Sequence, residues 1–265
     1  MDTHSPSAPQ EDLLIEQREG GAVWITLNRP AKHNALARHV LAGLRDAILR
    51  AQADEQLRCI VLRGAGDRYF AAGGDLVDLA SVRDNDAVVD MSEQACAALQ
   101  AVRDCPVPVI ACLNGDAIGG GAELAMAADM RLMAAHARIG YIQARLAITS
   151  AWGGGPDLFR AVGPGRAMRM MTRSEMIDAG LALQWGIADG ILNDGPDGED
   201  LAAFLKPVLA TRPQVLRGIK AQAIAHRRGG DWQECRRVER QHLVSTWLHD
   251  DHWAAAEKIL SKGAK

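Results

Sequence analysis

The stretch that most limits what this chain can fold into runs from Val107 to Ala128. Val107-Pro108-Val109-Ile110-Ala111-Cys112-Leu113 is an apolar run of strand length, and Asn114-Gly115 ends it. Gly119-Gly120-Gly121 follows, and Ala122 to Ala128 are strong helix formers. A buried strand therefore feeds a helix through a glycine-rich turn. The rest of the chain repeats the alternation. Val40, Leu41, Leu44, Ile48 and Leu49 recur at helical spacing, Cys59-Ile60-Val61-Leu62 is a short buried strand, and Met91 to Val102 is helical. Met130 to Met133 and Ala137 to Tyr141 read as short strands. Alternation of this kind predicts an α/β layer architecture with parallel pairing.

The ends read differently. Leu13 to Asn28 is a hairpin, with Glu19-Gly20-Gly21 as its turn and Arg29-Pro30 as its stop. After Gly155 the pattern turns almost wholly helical, and Asp194-Gly195-Pro196-Asp197-Gly198 marks a break. The expected organisation is a tail over residues 1–12, a core over 13–199 and a helical region over 200–265, with no fixed-period repeat.

Composition excludes several classes. Among the 265 residues, 30 Lys+Arg against 33 Asp+Glu leave a charge of −3, which argues against a nucleic-acid binder working by phosphate neutralisation. No apolar run approaches the roughly 20 residues of a membrane span. Met1 to Gln10 lacks the basic start and apolar stretch of a secretory signal, so a cytoplasmic location is expected. The five Cys (59, 96, 105, 112 and 235) form no CxxC, so reduced thiols are expected, Cys59 and Cys112 inside apolar strands. His249 and His252 sit at i,i+3 without a third ligand, so no metal is expected. Arg227-Arg228 and Arg236-Arg237 read as solvated helix faces rather than an RNA surface.

Three glycine clusters remain: Ala72-Gly73-Gly74-Asp75, Gly119-Gly120-Gly121 and Gly153-Gly154-Gly155. None matches GxGxxG or a P-loop. The second opens a helix, so its amide N–H groups lie unpaired at the positive end of the helix dipole. Such a helix start suits an anion, or an oxygen that becomes anionic during reaction. The alternative is that these glycines only turn the chain or let helix and strand pack.

Three motifs in order, Asn28-Arg29-Pro30 with His33-Asn34-Ala35-Leu36, then Phe70-Ala71-Ala72-Gly73-Gly74-Asp75-Leu76, then Asn114-Gly115-Asp116-Ala117-Ile118-Gly119-Gly120-Gly121-Ala122-Glu123-Leu124, resemble the crotonase (enoyl-CoA hydratase/isomerase) superfamily. The resemblance implies a spiral of ββα units and a helical C-terminal region that assembles trimers, sometimes paired into hexamers. It implies acyl-CoA thioesters as substrates, with no cofactor beyond the coenzyme A that the substrate carries. It assigns the backbone N–H groups of Gly74 and Gly120 as an oxyanion hole, places Ala72, Asp75 and Leu76 beside the substrate, and offers Lys32 to the coenzyme A phosphates. Asp75 has an alternative role as cap of a helix that follows Gly74.

Glu123 stands where the family's first catalytic glutamate stands. Burial pushes such a carboxyl up and a helix N-terminus pulls it down. At the second glutamate's position, after Ile139-Gly140-Tyr141-Ile142, the chain carries Gln143. An amide can hydrogen-bond but cannot exchange a proton at neutral pH. Asp116 is a candidate substitute acid. Ala151-Trp152-Gly153-Gly154 falls in the family's acyl-pocket loop, and Trp152 reads either as pocket filler or as a substrate selector. A Trp-Gly-Gly with a non-acidic residue at position 143 is similar to family members that decarboxylate ethylmalonyl- or methylmalonyl-CoA. The expected function is hydratase/isomerase-type chemistry through a thioester enolate. Decarboxylation is the enzymatic alternative, and a silent CoA- or RNA-binding scaffold is the alternative outside enzymes.

Overall fold

The structure, a computed structural model, describes residues 11–263. The chain opens with the antiparallel hairpin β1 (Leu13–Arg18) and β2 (Ala22–Leu27). Gly20 and Gly21 turn it at φ +80° each, a backbone region that side-chain-bearing residues avoid. After α1 (Arg38–Ala51), a ββα unit repeats. It is formed by β3 (Cys59–Gly64), β4 (Tyr69–Ala71) and α2 (Asn85–Asp104), then by β5 (Val109–Leu113), β6 (Asp116–Ile118) and α3 (Gly120–Ala127), then by β7 (Met130–Ala134), β8 (Arg138–Gly140) and α4 (Gly154–Thr172). The long strand of each unit joins a six-stranded sheet and the short one joins a four-stranded sheet, so the chain spirals between two sheets.

The remaining elements are β9 (Met176–Asp178), α5 (Ala179–Trp185), β10 (Gly190–Leu192), α6 (Glu199–Ala210), α7 (Pro213–Arg227), α8 (Trp232–Trp247) and α9 (Asp250–Gly263). The large sheet runs β1-β2-β3-β5-β7-β10, parallel from β2 onward, and the small one β4-β6-β8-β9. The α/β architecture expected from strand–helix alternation is present. The expectation that the chain is almost wholly helical after Gly155 is corrected, because β9 and β10 add an edge strand to each sheet. At three residues each, they carry too few side chains to show a period of two.

Across β2, β3 and β5 both faces of the large sheet are buried, which explains these continuous apolar strands. Val23, Ile25 and Leu27 of β2 face the main core with Leu44, Leu62 and Leu99. Ala22 and Trp24 face the other way, with Val61, Ile110 and Cys112, under Leu201 and Leu205 of α6. Each such side chain taken from water contributes roughly 1.5–3 kcal/mol. The break near residue 200 therefore does not separate a layer, since α6 seals the sheet's second face. Of the helical region, α8 buries no residue and leaves Leu243, Val244 and Trp247 more than half exposed.

The expected tail over 1–12 falls mostly outside the described residues. Glu11 and Asp12 are described and are anchored: their carbonyls accept from Asn28, and the Asp12 carboxylate pairs with Arg29 and His39. All five cysteines are free, and burial pushes the Cys59 and Cys112 thiols up to about 12. Arg236 and Arg237 pair with Glu239 and Glu234, and Arg227 and Arg228 with Asp129 and Asp104.

One buried ion pair joins the helical region to the core. Lys220 of α7 is 2% exposed, and its Nζ lies 2.7 and 2.5 Å from the two Asp129 carboxylate oxygens, which also accept from the Val109 amide. Removing one partner of such a pair strands the other charge and costs about 3–5 kcal/mol. Lys220→Met should therefore lower the unfolding free energy by about that amount, read by urea denaturation. A midpoint equal to wild type would show that Arg227 alone neutralises Asp129.

Candidate active site

The two motif glycines sit at the C-terminal ends of adjacent strands of the small sheet. Gly74 follows β4, and Gly120 opens α3 directly after β6. Two buried asparagines brace this end. Asn34 accepts from the Arg29 amide and donates to the carbonyls of Ala65 and Tyr69; Asn114 accepts from the Gly64 amide and donates to the carbonyls of Gly66 and Tyr69. Among the described residues, neither the Gly74 nor the Gly120 N–H donates to another group. For Gly120 this follows from its place as first residue of a helix.

Trp152 lies across both glycines. Its indole is 7% exposed, and a Cβ added at Gly120 would come within 2.7 Å of ring atoms Cζ3, Cε3 and Cη2. A Cβ at Gly74 would meet the same ring at 3.4 Å and Leu79 at 3.0 Å. Glycine at 120 is thus required by close approach as well as by any role of its amide.

Glu123 projects from the first turn of α3 and is 2% exposed. Its Oε1 accepts from the backbone amides of Trp152 (3.0 Å) and Gly154 (3.2 Å), and its Oε2 from the Gln143 side-chain Nε2 (3.0 Å). Burial is the largest influence on this carboxyl and pushes it above the usual range. The Trp152, Gly154 and Gln143 hydrogen bonds and the Arg103 charge pull back without overcoming it. Gln143 faces the site with its other atom unsatisfied: Oε1 is buried and accepts nothing.

The other candidates fall elsewhere. The Asp75 side chain fills the capping role, accepting from the Val77 and Asp78 amides. Its carboxylate is buried in a 2.8 Å pair with Arg29. Burial opposes its ionisation, but Arg29 and the Asp78 and Val77 amides hold it below the usual range. Asp116 is bound to the Arg138 backbone amide and guanidinium. Ala72 is half-buried beside the glycines, Leu76 is 65% exposed, and Lys32 is an exposed side chain on the turn Pro30–Lys32. His249 bonds Gln214, and His252 stacks against Trp247 and Trp253. Among the described residues no three His, Cys, Asp or Glu side chains are grouped to hold a metal.

Sequence reasoning missed the residues beneath the carboxylate. Tyr141 is fully buried and donates to the Gly154 carbonyl at 2.7 Å. Arg103 and Asp157 form a buried pair behind the same loop. Arg103 sits in a helix sequence, Ala101-Val102-Arg103-Asp104, that looks like any solvated turn. No local signal marks it.

A buried, desolvated carboxylate one turn from unpartnered amides can exchange a proton next to a carbonyl whose oxygen those amides could hold. Comparisons with known proteins place the chain in a family. A family profile described as enoyl-CoA hydratase/isomerase matches residues 17–259. Crotonyl-CoA hydratase of Syntrophomonas wolfei is 32% identical over 184 residues, 69% of each chain. Mitochondrial methylglutaconyl-CoA hydratase of Mus musculus is 30% identical over 226 residues, 84% of this chain and 71% of that one. The crystal structure of an enoyl-CoA hydratase from Bacillus anthracis superposes with a TM-score of 0.88 at 26% identity, covering 95% of this chain and 97% of the other. The chain belongs to the enoyl-CoA hydratase/isomerase family of the crotonase superfamily, and it is an enzyme of acyl-CoA thioesters.

The indole contact gives a test. Gly120→Ala should destabilise the fold by about 1–3 kcal/mol through overpacking, and Gly74→Ala by less. Combining Gly120→Ala with Trp152→Ala should recover most of the loss, measured by thermal or urea unfolding. An additive double variant would contradict the contact.

Proposed function

We propose that the enzyme forms a thioester enolate, with the Gly74 and Gly120 amides holding the thioester oxygen and Glu123 moving the proton. The observation that carries this reading is the placement of Glu123: a carboxyl kept from water, gripped on one oxygen by loop amides, one turn beyond a free helix-start N–H. In the favoured reaction Glu123 takes a proton from C2 of a 3-enoyl-CoA. The C–H electron pair passes into the thioester, and negative charge collects on its oxygen. Donors aimed at that oxygen are worth about 10²–10³ in rate each. Glu123 then returns the proton at C4, and the double bond moves into conjugation.

Gln143 explains why transfer between carbons ranks above hydration. Hydration draws on a second proton carrier, and an amide cannot be one. Gln143 instead donates to Glu123 Oε2, orienting the carboxylate. The decarboxylase reading is favoured by a separate observation: the Trp152 indole makes an apolar wall against both glycines, where a substrate carboxylate would lose its water. Incubation with crotonyl-CoA, a 3-enoyl-CoA and methylmalonyl-CoA, with products followed by mass spectrometry, separates the three reactions. Turnover of the 3-enoyl-CoA is expected to lead, and exclusive loss of CO₂ from methylmalonyl-CoA would replace this reading.

We also propose a homotrimer, singly or paired. The exposed Leu243, Val244, Trp247 and Trp253 of α8 and α9 form an apolar surface of the kind that marks interfaces. Light scattering showing a 28.5 kDa monomer at micromolar concentration would refute it.

Glu123→Gln tests the proton carrier. Activity should fall about 10²–10⁴-fold. Stability should not fall. A carboxyl whose folded pKa is raised stabilises the fold below its unfolded value, about 4.3, and that contribution is lost as pH rises through the raised folded value. Glutamine removes this cost at neutral pH, and its NH₂ can satisfy the Gln143 carbonyl after a flip of that amide. In the wild type, the basic form of Glu123 disappears as pH falls through the raised value. The acid limb of kcat/KM should therefore lie above that of a solvated glutamate. Full activity in Glu123→Gln would overturn the reading.

A further inference from the structure

The loop that grips Glu123 is itself held from below. Its Ala151 carbonyl accepts from Ser92 Oγ at 2.8 Å and lies 3.4 Å from Cys96 Sγ, both on α2. Two helical turns beyond Cys96 along α2 stands Arg103, whose side chain is 9% exposed. Its Nε donates to Asp157 Oδ2 at 2.8 Å, and its Nη2 lies at the same distance from that oxygen. Asp157 belongs to the first turn of α4, the helix the loop leads into. Between them lies Gly153, in the left-handed region at φ +84°. A Cβ there would meet the Arg103 guanidinium at 3.1–3.5 Å, so the planar cation packs against the Gly153 backbone. The residues on either side of Gly153 are the two whose amides bind Glu123 Oε1.

We propose that Arg103, with Asp157 as its counter-ion, is a positioning residue for Glu123. The guanidinium fixes the 152–154 loop so that both amides converge on one carboxylate oxygen, and it supplies the buried positive charge nearest that carboxylate. Asp157 sets how much of that charge Glu123 feels. The proposal rests on the reading of Glu123 as proton carrier, and it assigns regulation of that group to a pair that does not touch substrate.

The charged and titratable groups around Glu123 are few. From α2 come Arg103 and Cys96; from α4 comes Asp157, itself 3.5 Å from exposed Arg160; Tyr141, after β8, lies against the same loop; and Arg131 of β7 is buried nearby. Tyr141 is held neutral by full burial and burial raises the Cys96 thiol, so neither carries charge near neutral pH. Arg103 and Asp157 are the two charges whose removal should move Glu123 in opposite directions.

The experiment titrates Glu123 in the full-length protein by infrared difference spectroscopy of its protonated carboxyl band, assigned by its loss in Glu123→Gln. Three further variants are compared: Arg103→Lys, Arg103→Gln and Asp157→Asn. Arg103→Gln should raise the Glu123 midpoint by about one pH unit or more. Asp157→Asn, which leaves the cation unneutralised, should lower it. Arg103→Lys should keep the midpoint near wild type while lowering kcat, because an ammonium cannot pack flat on the Gly153 backbone. The acid limb of kcat/KM on the 3-enoyl-CoA should move with the midpoints. Equal midpoints in Arg103→Gln and Asp157→Asn, or shifts of the same sign, would overturn the proposal and reduce the pair to a packing role. Asp157→Asn is nearly isosteric, so its shift decides the matter if Arg103→Gln does not fold. Unchanged activity in Glu123→Gln would instead sink the underlying reading, whatever the midpoints do.

Discussion

Everything at this site depends on the grip of the Trp152 and Gly154 amides on Glu123. A carboxylate 2% exposed to solvent has lost most of its hydration and survives only if protein donors replace the water. Two backbone N–H groups and the Gln143 amide do so. The same loop conformation lays the Trp152 indole across Gly74 and Gly120. One loop thus sets both the ionisation of the acid and the shape of the space above the free amides. The ββα spiral brings these parts together: β4 and β6 pair in the small sheet, so their C-terminal ends deliver Gly74 and Gly120 side by side.

Retaining one acid where the family pattern has two makes the site asymmetric. Glu123 can take or return a proton; Gln143 can only steer. The buried, unsatisfied Gln143 Oε1 shows that the amide is oriented by Glu123 rather than by its own full complement of partners. With Glu123 ionised, only the NH₂ end of Gln143 can face it, so the carbonyl is turned toward space that a donor could enter. The site therefore spends folding stability on keeping a desolvated acid and an orphan acceptor, as functional sites do.

The sequence made the larger elements legible because their signals are long. The β2, β3 and β5 runs, the amphipathic α1 and the glycine-led α3 all span enough residues to show a pattern. The short strands β4, β6, β9 and β10 do not, since three residues are too few to show an alternation and look like loop. Motif resemblance reached Glu123, Gly74, Gly120 and Gln143 and noticed the missing acid. It offered Asp75 both as a cap and as a neighbour of the substrate, and only the fold reveals Arg29 opposite it. It could not reach Arg103, Asp157 or Lys220, whose charges look solvated in sequence and become buried through contacts 54 or 91 residues away.

The central claim is that an enolate forms here with Glu123 as the base. Incubation of the enzyme with butyryl-CoA in deuterium oxide tests it without assuming the physiological acyl chain. The account predicts deuterium incorporation at C2, seen by mass spectrometry, that is lost in Glu123→Gln while the variant remains folded. Exchange that persists in Glu123→Gln would contradict it.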